Sequence, residues 1–259
     1  MSGPAAGVIA GAYIGKVSGY DNLITCDMGG TSFDVSLVSN GDTALAPQTS
    51  VDFGLVVRTP MIEITTIGAG GGSIAWVDRG GLLQVGPESA GANPGPSCYR
   101  RGGPLAVTDC NVMLGKLQPK FFPPVFGPNQ NEPLDVAPVK KQFAALAKDI
   151  AKTSGVALAV ESIASGFLKI AVENMANAIK KISVQRGYDV TDYALQCFGG
   201  AGGQHACLIA DVLGMTKVLI HPFAGVLSAY GMGLANVTAL REKSIELTPD
   251  GAVLDRLEN

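Results

Sequence analysis

The sequence contains the stretch Leu23-Ile-Thr-Cys-Asp-Met-Gly-Gly-Thr-Ser-Phe-Asp-Val-Ser-Leu-Val38, in which two apolar runs flank a Gly29-Gly30-Thr31 turn. The first run is almost continuously apolar, as in a buried strand, and the second alternates, with Phe33, Val35 and Leu37 on one face. Two such runs joined by a short glycine turn predict a β-hairpin. We expect the rest of the chain to be organised around this hairpin.

The turn of this hairpin has the composition of an anion-binding loop. The amides of Gly29-Gly30, with the hydroxyls of Thr31 and Ser32, can form a concavity for phosphate because glycine lets the backbone approach a ligand. Asp27 and Asp34 bracket the turn, and carboxylates beside phosphates require a cation between them, usually Mg²⁺. The residues therefore leave two interpretations open, a nucleotide-phosphate site and an ordinary tight hairpin.

The composition is that of a globular protein and narrows the range of partners. Of 259 residues, 47% are hydrophobic and 16% charged, which allows a well-buried core in one large domain or two small ones. The net charge of −3 comes without a basic block, which argues against nucleic acid as a partner. No apolar run reaches the ~20 residues of a membrane span, and no signal peptide is evident. The five scattered cysteines form no Cys-x-x-Cys pair, so we expect reduced thiols and a cytoplasmic protein.

The last third of the chain alternates strands and helices around a second candidate loop. Strands are predicted over 193–198 and 217–221, and helices over 204–213 and 225–236, which implies parallel strands in a covered sheet. The loop Gly199-Gly200-Ala201-Gly202-Gly203 is not a dinucleotide fingerprint and lacks the lysine of a P-loop. It can still hold an adenosine or a phosphate at a helix N-terminus. His205 follows in the first turn of that helix, where it either meets a ligand or packs locally.

Between these regions the sequence predicts helices and connections. A glycine-rich helix over 2–19 must pack tightly because its own propensity is poor, and two further helices are predicted over 139–152 and 159–186. A second glycine cluster, Gly68–Ser73, is either a flexible hinge or another contact between backbone and ligand. Asn174 lies on the predicted apolar stripe, as a helix-pairing residue or a ligand contact. Arg186 belongs either to a solvated basic helix end or to a phosphate contact.

The order of the predicted elements indicates the fold class. A three-strand meander is followed by a helix and then by strand, helix, strand and helix, which resembles a ribonuclease-H-like domain. We therefore expect an α/β fold that is half of an actin, Hsp70 and sugar-kinase type of ATPase, in which a glycine hairpin holds phosphates and a later glycine turn holds adenosine. The predicted domain comprises residues 1–134 and 191–240, with a helical insertion at 135–190 and a truncated C-terminal extension at 241–259.

At the level of residues, the chain resembles the hydantoinase A and 5-oxoprolinase family over nearly its whole length. Five segments carry the resemblance, in the family's order: Asp27-Met-Gly-Gly-Thr-Ser-Phe-Asp34, Ile67-Gly-Ala-Gly-Gly-Gly-Ser73, Val85-Gly-Pro-Glu-Ser-Ala-Gly-Ala-Asn-Pro-Gly-Pro-Ser-Cys-Tyr99, Val107-Thr-Asp-Cys-Asn111 and Cys197-Phe-Gly-Gly-Ala-Gly-Gly-Gln-His-Ala206. The Gly-Gly-Gln-His sequence in the last segment, together with Phe126-Gly-Pro-Asn129, favours 5-oxoprolinase over N-methylhydantoinase. Acetone and acetophenone carboxylases are also similar.

This resemblance implies ATP-dependent opening of a cyclic amide. In the family ATP phosphorylates the amide oxygen, which lets water attack the carbonyl carbon, and Mg²⁺ neutralises phosphate charge. At matching positions Asp27 would act through Mg²⁺ or its waters, and Asp34 would support it. Phosphates would be held by Gly29, Gly30 and Thr31 with Ser32 beside them, and adenosine would lie against Gly199, Gly200, Gly202 and Gly203.

The resemblance also has departures and open ends. Many relatives carry Asp-x-His before the second glycine cluster, whereas this chain has Glu63-Ile64-Thr65, so a metal ligand at that histidine is absent. The family implies a preceding lobe with its own phosphate loop, a hydantoinase B-like component and an oligomeric intact enzyme. We therefore expect this chain to be a fragment of a larger assembly. Two other functions stay open, a component of an ATP-linked carboxylase and a non-catalytic nucleotide-binding or assembly module.

Overall fold

A computed structural model of the protein describes residues 2–51 and 54–237. The predicted extension at 241–259 lies outside those residues. The described part contains helices α1 Ser2–Val17, α2 Val107–Met113, α3 Val136–Ser154, α4 Val160–Ile182, α5 Ala206–Leu213 and α6 Leu227–Leu234. Its strands are β1 Leu23–Met28, β2 Phe33–Ser39, β3 Asp42–Thr43, β4 Leu45–Ala46, β5 Thr49–Val51, β6 Leu55–Val57, β7 Met61–Ile62, β8 Thr65–Ile67, β9 Ser73–Val77, β10 Leu83–Ser89, β11 Ala194–Phe198 and β12 Val218–Leu219.

A mixed sheet in the order β12-β11-β1-β2-β3 forms the centre, and β8 also pairs with β2. Strands β1 and β2 are antiparallel, with Asp27 opposite Asp34 and Met28 opposite Phe33. Strand β11 runs parallel to both β1 and β12. The predicted hairpin, the parallel pairing of the last third and the α/β class are therefore confirmed.

The third strand of the predicted three-strand meander is replaced by two short strands. Two short strands, β3 and β8, pair with different halves of β2, at Val38–Ser39 and at Phe33–Val35. The residues between them form separate two-stranded ladders, β4 with β7 and β5 with β6. A run of β-branched residues thus predicts extended backbone correctly but does not determine which partner it pairs with.

Helices cover both faces of the central sheet. Alternate β1 residues Ile24, Cys26 and Met28 belong to the main core together with α4, whereas Leu23 packs on the opposite face with Val8 of α1. Because side chains alternate across a strand, Thr25 and Asp27 share the face of Leu23. Asp27 is therefore placed on the side of the sheet that α1 and α6 cover.

The glycine-rich α1 packs closely, as its composition predicts. A methyl group at Gly231 of α6 would overlap the backbone carbonyl of Ala6, and one at Gly15 would overlap Leu23. Helix–helix contact at this separation requires glycine, which offsets the poor helix propensity of the segment.

The range predicted as a helical insertion does form two helices, α3 and α4. Asp135 caps α3 by accepting a hydrogen bond from the Ala137 amide at 2.9 Å, and Gly155 ends it at φ +72°. Helix α4 is part of the main core rather than an appendage, since its side chains pack with those of β1 and β2. The division into 1–134 with 191–240, and 135–190, remains a prediction.

Two polar predictions on α4 and its end have different outcomes. The placement of Asn174 on the buried stripe is wrong, because Asn174 is exposed and the buried face runs instead through Ala171, Met175 and Ile179. Arg186 is exposed, as a solvated basic end should be, and its guanidinium also donates two hydrogen bonds of 2.6 Å to the carboxylate of Glu63. This bidentate pair joins the end of the helix to the segment before β8.

Candidate functional site

Two glycine loops meet at one edge of the central sheet. Since β1 and β11 are parallel, the turn after β1 and the loop after β11 leave the sheet at the same edge. The Ala201 amide donates to the Met28 carbonyl at 2.9 Å, and the Gly199 amide donates to the Ala224 carbonyl at 3.0 Å. The predicted phosphate turn and the predicted adenosine loop are therefore adjacent.

The second glycine cluster supports the first turn from behind. The amides of Gly70, Gly71 and Gly72 donate to the carbonyls of Thr31, Gly29 and Gly30 at 3.3, 3.1 and 2.6 Å. A methyl group at Gly70 would lie 2.5 Å from the Thr31 nitrogen. Glycine is needed here for contact between two stretches of backbone, so the cluster is not a flexible hinge.

Three glycines at the open side of the site are not required by a contact with another part of the described chain. A methyl group at Gly29, Gly30 or Gly200 would meet nothing within 4 Å, and none of these three residues needs a left-handed backbone. The described structure therefore leaves space against these backbones, which a ligand can fill.

The other glycines of the second loop have different surroundings. Gly199 has φ +82°, and a side chain there would overlap Asp27 and the Met28 carbonyl. Methyl groups at Gly202 and Gly203 would have their nearest neighbours at ordinary distances of 3.6 and 3.8 Å. Of the four predicted adenosine contacts, Gly200 alone faces open space, and Gly199 is required by the fold.

Two carboxylates face each other across the hairpin beside this space. Directly opposed residues of an antiparallel pair have neighbouring side chains, and Asp27 is registered with Asp34. Asp34 accepts hydrogen bonds from the hydroxyls of Thr66 and of Ser32, the latter at 3.0 Å. Asp27 accepts a longer bond of 3.4 Å from the Ser228 hydroxyl.

The electrostatics of Asp27 favour a cation. Burial raises the pKa of Asp27, the charge of Asp34 raises it further, and the Ser228 hydroxyl opposes both effects. A positive charge between the carboxylates would relieve the repulsion. Thr66 and Ser228 were missed by sequence reasoning. Thr66 precedes the second glycine cluster, but Ser228 lies 201 residues from Asp27, and no local pattern connects them.

The residues present fit a metal that is held partly by phosphate. The described part of the chain contains no group of three or more His, Cys, Asp or Glu arranged to hold a metal ion. Mg²⁺ is usually bound by one or two carboxylates together with phosphate oxygens and water. Asp27 and Asp34 supply the carboxylates, and the open glycine turn beside them can hold the phosphate.

Helix α2 links the three glycine segments. Thr108 donates both its amide and its hydroxyl to the carbonyl of Gly71, at 2.8 and 2.9 Å. One turn later, the amide nitrogen of Asn111 lies 2.9 Å from the side-chain oxygen of Gln204 and 3.3 Å from Nε2 of His205. The helix therefore contacts the support of the phosphate turn and the end of the adenosine loop.

Asp109, on the same helix, fixes the long loop that precedes it. Its fully buried carboxylate accepts backbone hydrogen bonds from Ser97, Cys98 and Ala106 at 2.9, 2.8 and 2.9 Å. Burial raises the pKa of Asp109, and these backbone donors oppose the rise. Burial also raises the pKa of the Cys98 thiol, which disfavours the thiolate that a nucleophile requires.

His205 does not contact the open space. Its ring is 1% exposed, and burial together with the Lys116 ammonium lowers its pKa to about 4. Of the two interpretations of this histidine, local packing is the one that agrees with its burial.

Comparisons with known proteins identify the family. The sequence model of the hydantoinase/oxoprolinase family matches residues 1–241. The chain belongs to this family. It is 45% identical to 5-oxoprolinase of Dictyostelium discoideum over 92% of its own length and 20% of that protein, and 46% identical to 5-oxoprolinase 1 of Arabidopsis thaliana over 92% and 19%. The chain thus spans about a fifth of the length of these curated relatives.

Solved structures of similar proteins have the same fold. ATP-dependent caprolactamase from Pseudomonas jessenii matches with a TM-score of 0.74 and 41% identity, over 88% of this chain and 32% of that one. Nucleotide-free acetone carboxylase matches with a TM-score of 0.74 and 30% identity, over 88% and 31%. This member of the hydantoinase/oxoprolinase family therefore shares the α/β architecture of an ATP-dependent caprolactamase and of an enzyme of ATP-dependent acetone carboxylation.

The structure also gives a role to the residue that departs from the family pattern. Glu63 stands at the position where the resemblance implies an aspartate, and in this chain its carboxylate accepts hydrogen bonds from Arg186. That pair lowers the pKa of Glu63. Glu63 therefore has a structural partner within the chain.

None of the helices within residues 2–51 and 54–237 has the combination of length and apolar character that crossing a bilayer requires.

Proposed function

We propose that this chain is the nucleotide-binding portion of an ATP-dependent cyclic-amide hydrolase of the 5-oxoprolinase or N-methylhydantoinase type. The observation that carries the proposal is the meeting of two glycine loops at one sheet edge, beside the opposed Asp27 and Asp34. The backbones of Gly29, Gly30 and Gly200 are open to a ligand there. The relatives named 5-oxoprolinase and ATP-dependent caprolactamase support the same class of substrate.

The finer fold assignment is part of this proposal. The central sheet has three antiparallel strand positions followed by two parallel strands, with the first strand at the centre. This order supports a ribonuclease-H-like domain of the kind found in actin-like ATPases. In such a domain the hairpin turn and the loop after the fourth strand bind one nucleotide between them.

Each site residue then has a chemical role. The amides of Gly30 and Thr31 would donate hydrogen bonds to phosphate oxygens, whereas the Gly29 amide already donates to the Ser32 carbonyl at 3.2 Å and Gly29 would contribute its open backbone. Ser32 orients Asp34 through the bond between their side chains. Asp27 would hold Mg²⁺ directly or through its water ligands, and the metal would supply neutralisation of phosphate charge. Gly200, supported by Gly199, lets the nucleoside approach the loop.

The alternative within the family is an ATP-linked carboxylase component. The acetone carboxylase match favours it, since its TM-score equals that of caprolactamase. We propose the same nucleotide chemistry at this edge of the sheet for either class, so that the two would differ in the substrate that receives the phosphoryl group. We propose cyclic-amide hydrolysis because the higher sequence identities are to 5-oxoprolinases.

We also propose that further parts complete the enzyme, namely another lobe with its own phosphate loop and a hydantoinase B-like component, in an oligomeric assembly. Phosphoryl transfer depends on positioning and electrostatics from several directions. The length of the relatives, about five times that of the matched region, supports this proposal.

The test is a titration of the chain with Mg²⁺-ATP. The backbone amide signals are monitored by NMR, which detects weak binding. We expect the amides of Gly29, Gly30 and Gly200 to shift together, and Asp27→Asn to weaken the response at least about tenfold without loss of fold. The matched control is Asp21→Asn, because Asp21 is exposed and precedes β1, whereas Asp27 lies near its far end. Equal responses in the two variants, or no shift at the glycine amides, would refute the site.

A further inference from the structure

The bridge between α2 and the adenosine loop consists of two fully buried polar residues, Asn111 and His205, and the partly buried Gln204. Asn111 and His205 are each 1% exposed, and the Asn111 amide nitrogen approaches both Gln204 and the ring of His205. Breaking a buried polar contact leaves a polar group without a partner, which costs free energy. Such a contact therefore favours one arrangement of the residues around it.

The contact between Asn111 and His205 allows either tautomer of the ring, and we assign one of them. An amide NH₂ carries two protons, so Asn111 can donate one to Gln204 Oε1 and one to His205 Nε2. In this assignment the neutral ring carries its proton on Nδ1, which is buried and has no hydrogen-bond partner among the described residues. His221, the second histidine of the chain, has the opposite arrangement, since its Nδ1 accepts the Phe223 amide at 3.1 Å.

The adenosine loop is fixed at both ends, and Ala201 is the one residue of Gly199–Gly203 that has a side chain. Its beginning is tied by the Gly199 and Ala201 amides, and its end by Asn111 and by Lys116, whose ammonium donates to the Gln204 carbonyl at 3.0 Å. A methyl group added at Gly200, between these anchors, would meet nothing within 4 Å. The anchors must therefore determine where this backbone lies.

The same helix anchors the other loop. Thr108 holds Gly71, whose amide in turn bonds the Gly29 carbonyl of the phosphate turn. Thr108 and Asn111 are three residues apart, so they lie on one side of α2. A single helical turn therefore contacts the supports of both glycine loops, in addition to the direct bond from the Ala201 amide to the Met28 carbonyl.

We propose that His205 is a positioning residue of the nucleotide site, which, by accepting a hydrogen bond from Asn111, holds the Gly199–Gly203 loop at a fixed distance from the phosphate turn. Its role is indirect because the buried ring cannot reach a ligand. The proposal rests on the proposed function for the identity of the ligand, but the fixing of the loop is a property of the chain itself.

The first measurement needs no ligand. Nitrogen NMR of the two imidazoles should show His205 protonated on Nδ1 and His221 protonated on Nε2, and Asn111→Leu should shift only the His205 signals. A proton on Nε2 of His205 overturns the proposed direction of the bond. Amide exchange at Ala201, which reports the loop, should rise at least about tenfold in His205→Leu while exchange at Cys26 in β1 is unchanged. An equal rise at both amides indicates a merely general loss of stability and overturns the positioning role.

The second measurement uses Mg²⁺-ATP as the probe. We expect His205→Leu to weaken binding about five- to tenfold, and His205→Gln, which keeps an acceptor near the position of Nε2, to restore affinity to within about threefold of the original. Equal loss in both variants overturns the role of the bond. If the unmodified chain does not bind the nucleotide, the proposed function fails, and the exchange and imidazole measurements still decide whether His205 fixes the loop.

Discussion

Replacing Asp109 by asparagine tests whether the loop behind the site is held by one buried carboxylate. The two oxygens of Asp109 accept three backbone hydrogen bonds, two at Oδ2 from Ser97 and Ala106 and one at Oδ1 from Cys98. An asparagine can turn its single oxygen toward the first two donors, but its NH₂ group then faces the Cys98 amide. One buried backbone N–H loses its acceptor.

The expected loss of stability follows from these contacts. A buried donor without a partner costs about 1–3 kcal/mol, and hydrogen bonds to a neutral oxygen are roughly half as strong as those to a carboxylate. Removal of a buried charge returns part of this loss, because desolvation disfavours the carboxylate. We therefore expect the free energy of unfolding to fall by about 2–4 kcal/mol, which for a chain of this size lowers Tm by roughly 5–15 °C.

The assay is urea unfolding followed by circular dichroism, with Asp78→Asn as the matched control. Asp78 also accepts three hydrogen bonds, from the backbone amides of Gly80 and Leu82 and from the side chain of Gln84, but it lies on an exposed hairpin where water can replace them. We expect little change in that control. A loss below about 1 kcal/mol in Asp109→Asn, or an equal loss in both variants, would show that buried hydrogen bonding is not what holds the loop.

Three further predictions test the site, the pH dependence and the proposed assembly. Gly70→Ala should destabilise the chain, because the methyl group meets the Thr31 backbone, and thermal melts measure this loss. Gly30→Ala should keep the fold and weaken Mg²⁺-ATP binding, which a titration measures. His205 has a folded pKa of about 4 against an ordinary 6.5, so its contribution to stability is complete above pH 6.5 and is lost as the pH falls toward 4. Between pH 7 and 5 the chain should lose about 2 kcal/mol more than His205→Gln in urea unfolding, and parallel losses would contradict this. The 259-residue chain alone should not release glutamate from 5-oxoproline with ATP, and turnover by the purified chain would refute the need for further components.

The features that were predicted correctly are those that follow from local sequence patterns. The hairpin of β1 and β2 follows from apolar periodicity on either side of a glycine turn, and periodicity needs no knowledge of distant contacts. The meeting of the two glycine loops follows from parallel pairing, which the alternation of strands and helices implies. Asp27 and Asp34 were placed together because they bracket one turn.

The features that were missed depend on contacts between distant residues. Ser228 reaches Asp27 only because α6 packs beside α1, and Arg186 reaches Glu63 across 123 residues. Asn174 was placed on the buried stripe because large apolar residues were counted, whereas small residues such as Ala171 form much of the packed face. Interhelical packing is close there, and alanine contributes to it without a strong signal in the pattern.

The segment Val107–Asn111 shows how a short motif can serve several loops at once. Successive residues of a helix point about 100° apart, so Thr108 and Asn111 lie on one side of α2 and Asp109 on another. The first two bind the supports of the two glycine loops, and the third binds the long loop at Ser97 and Cys98. A single helical turn thus positions both halves of the proposed nucleotide site, although none of its residues faces the open space beside Gly30 and Gly200. Substitutions here should therefore alter nucleotide affinity through geometry, and the ratio of affinity loss to stability loss is what separates this effect from simple unfolding.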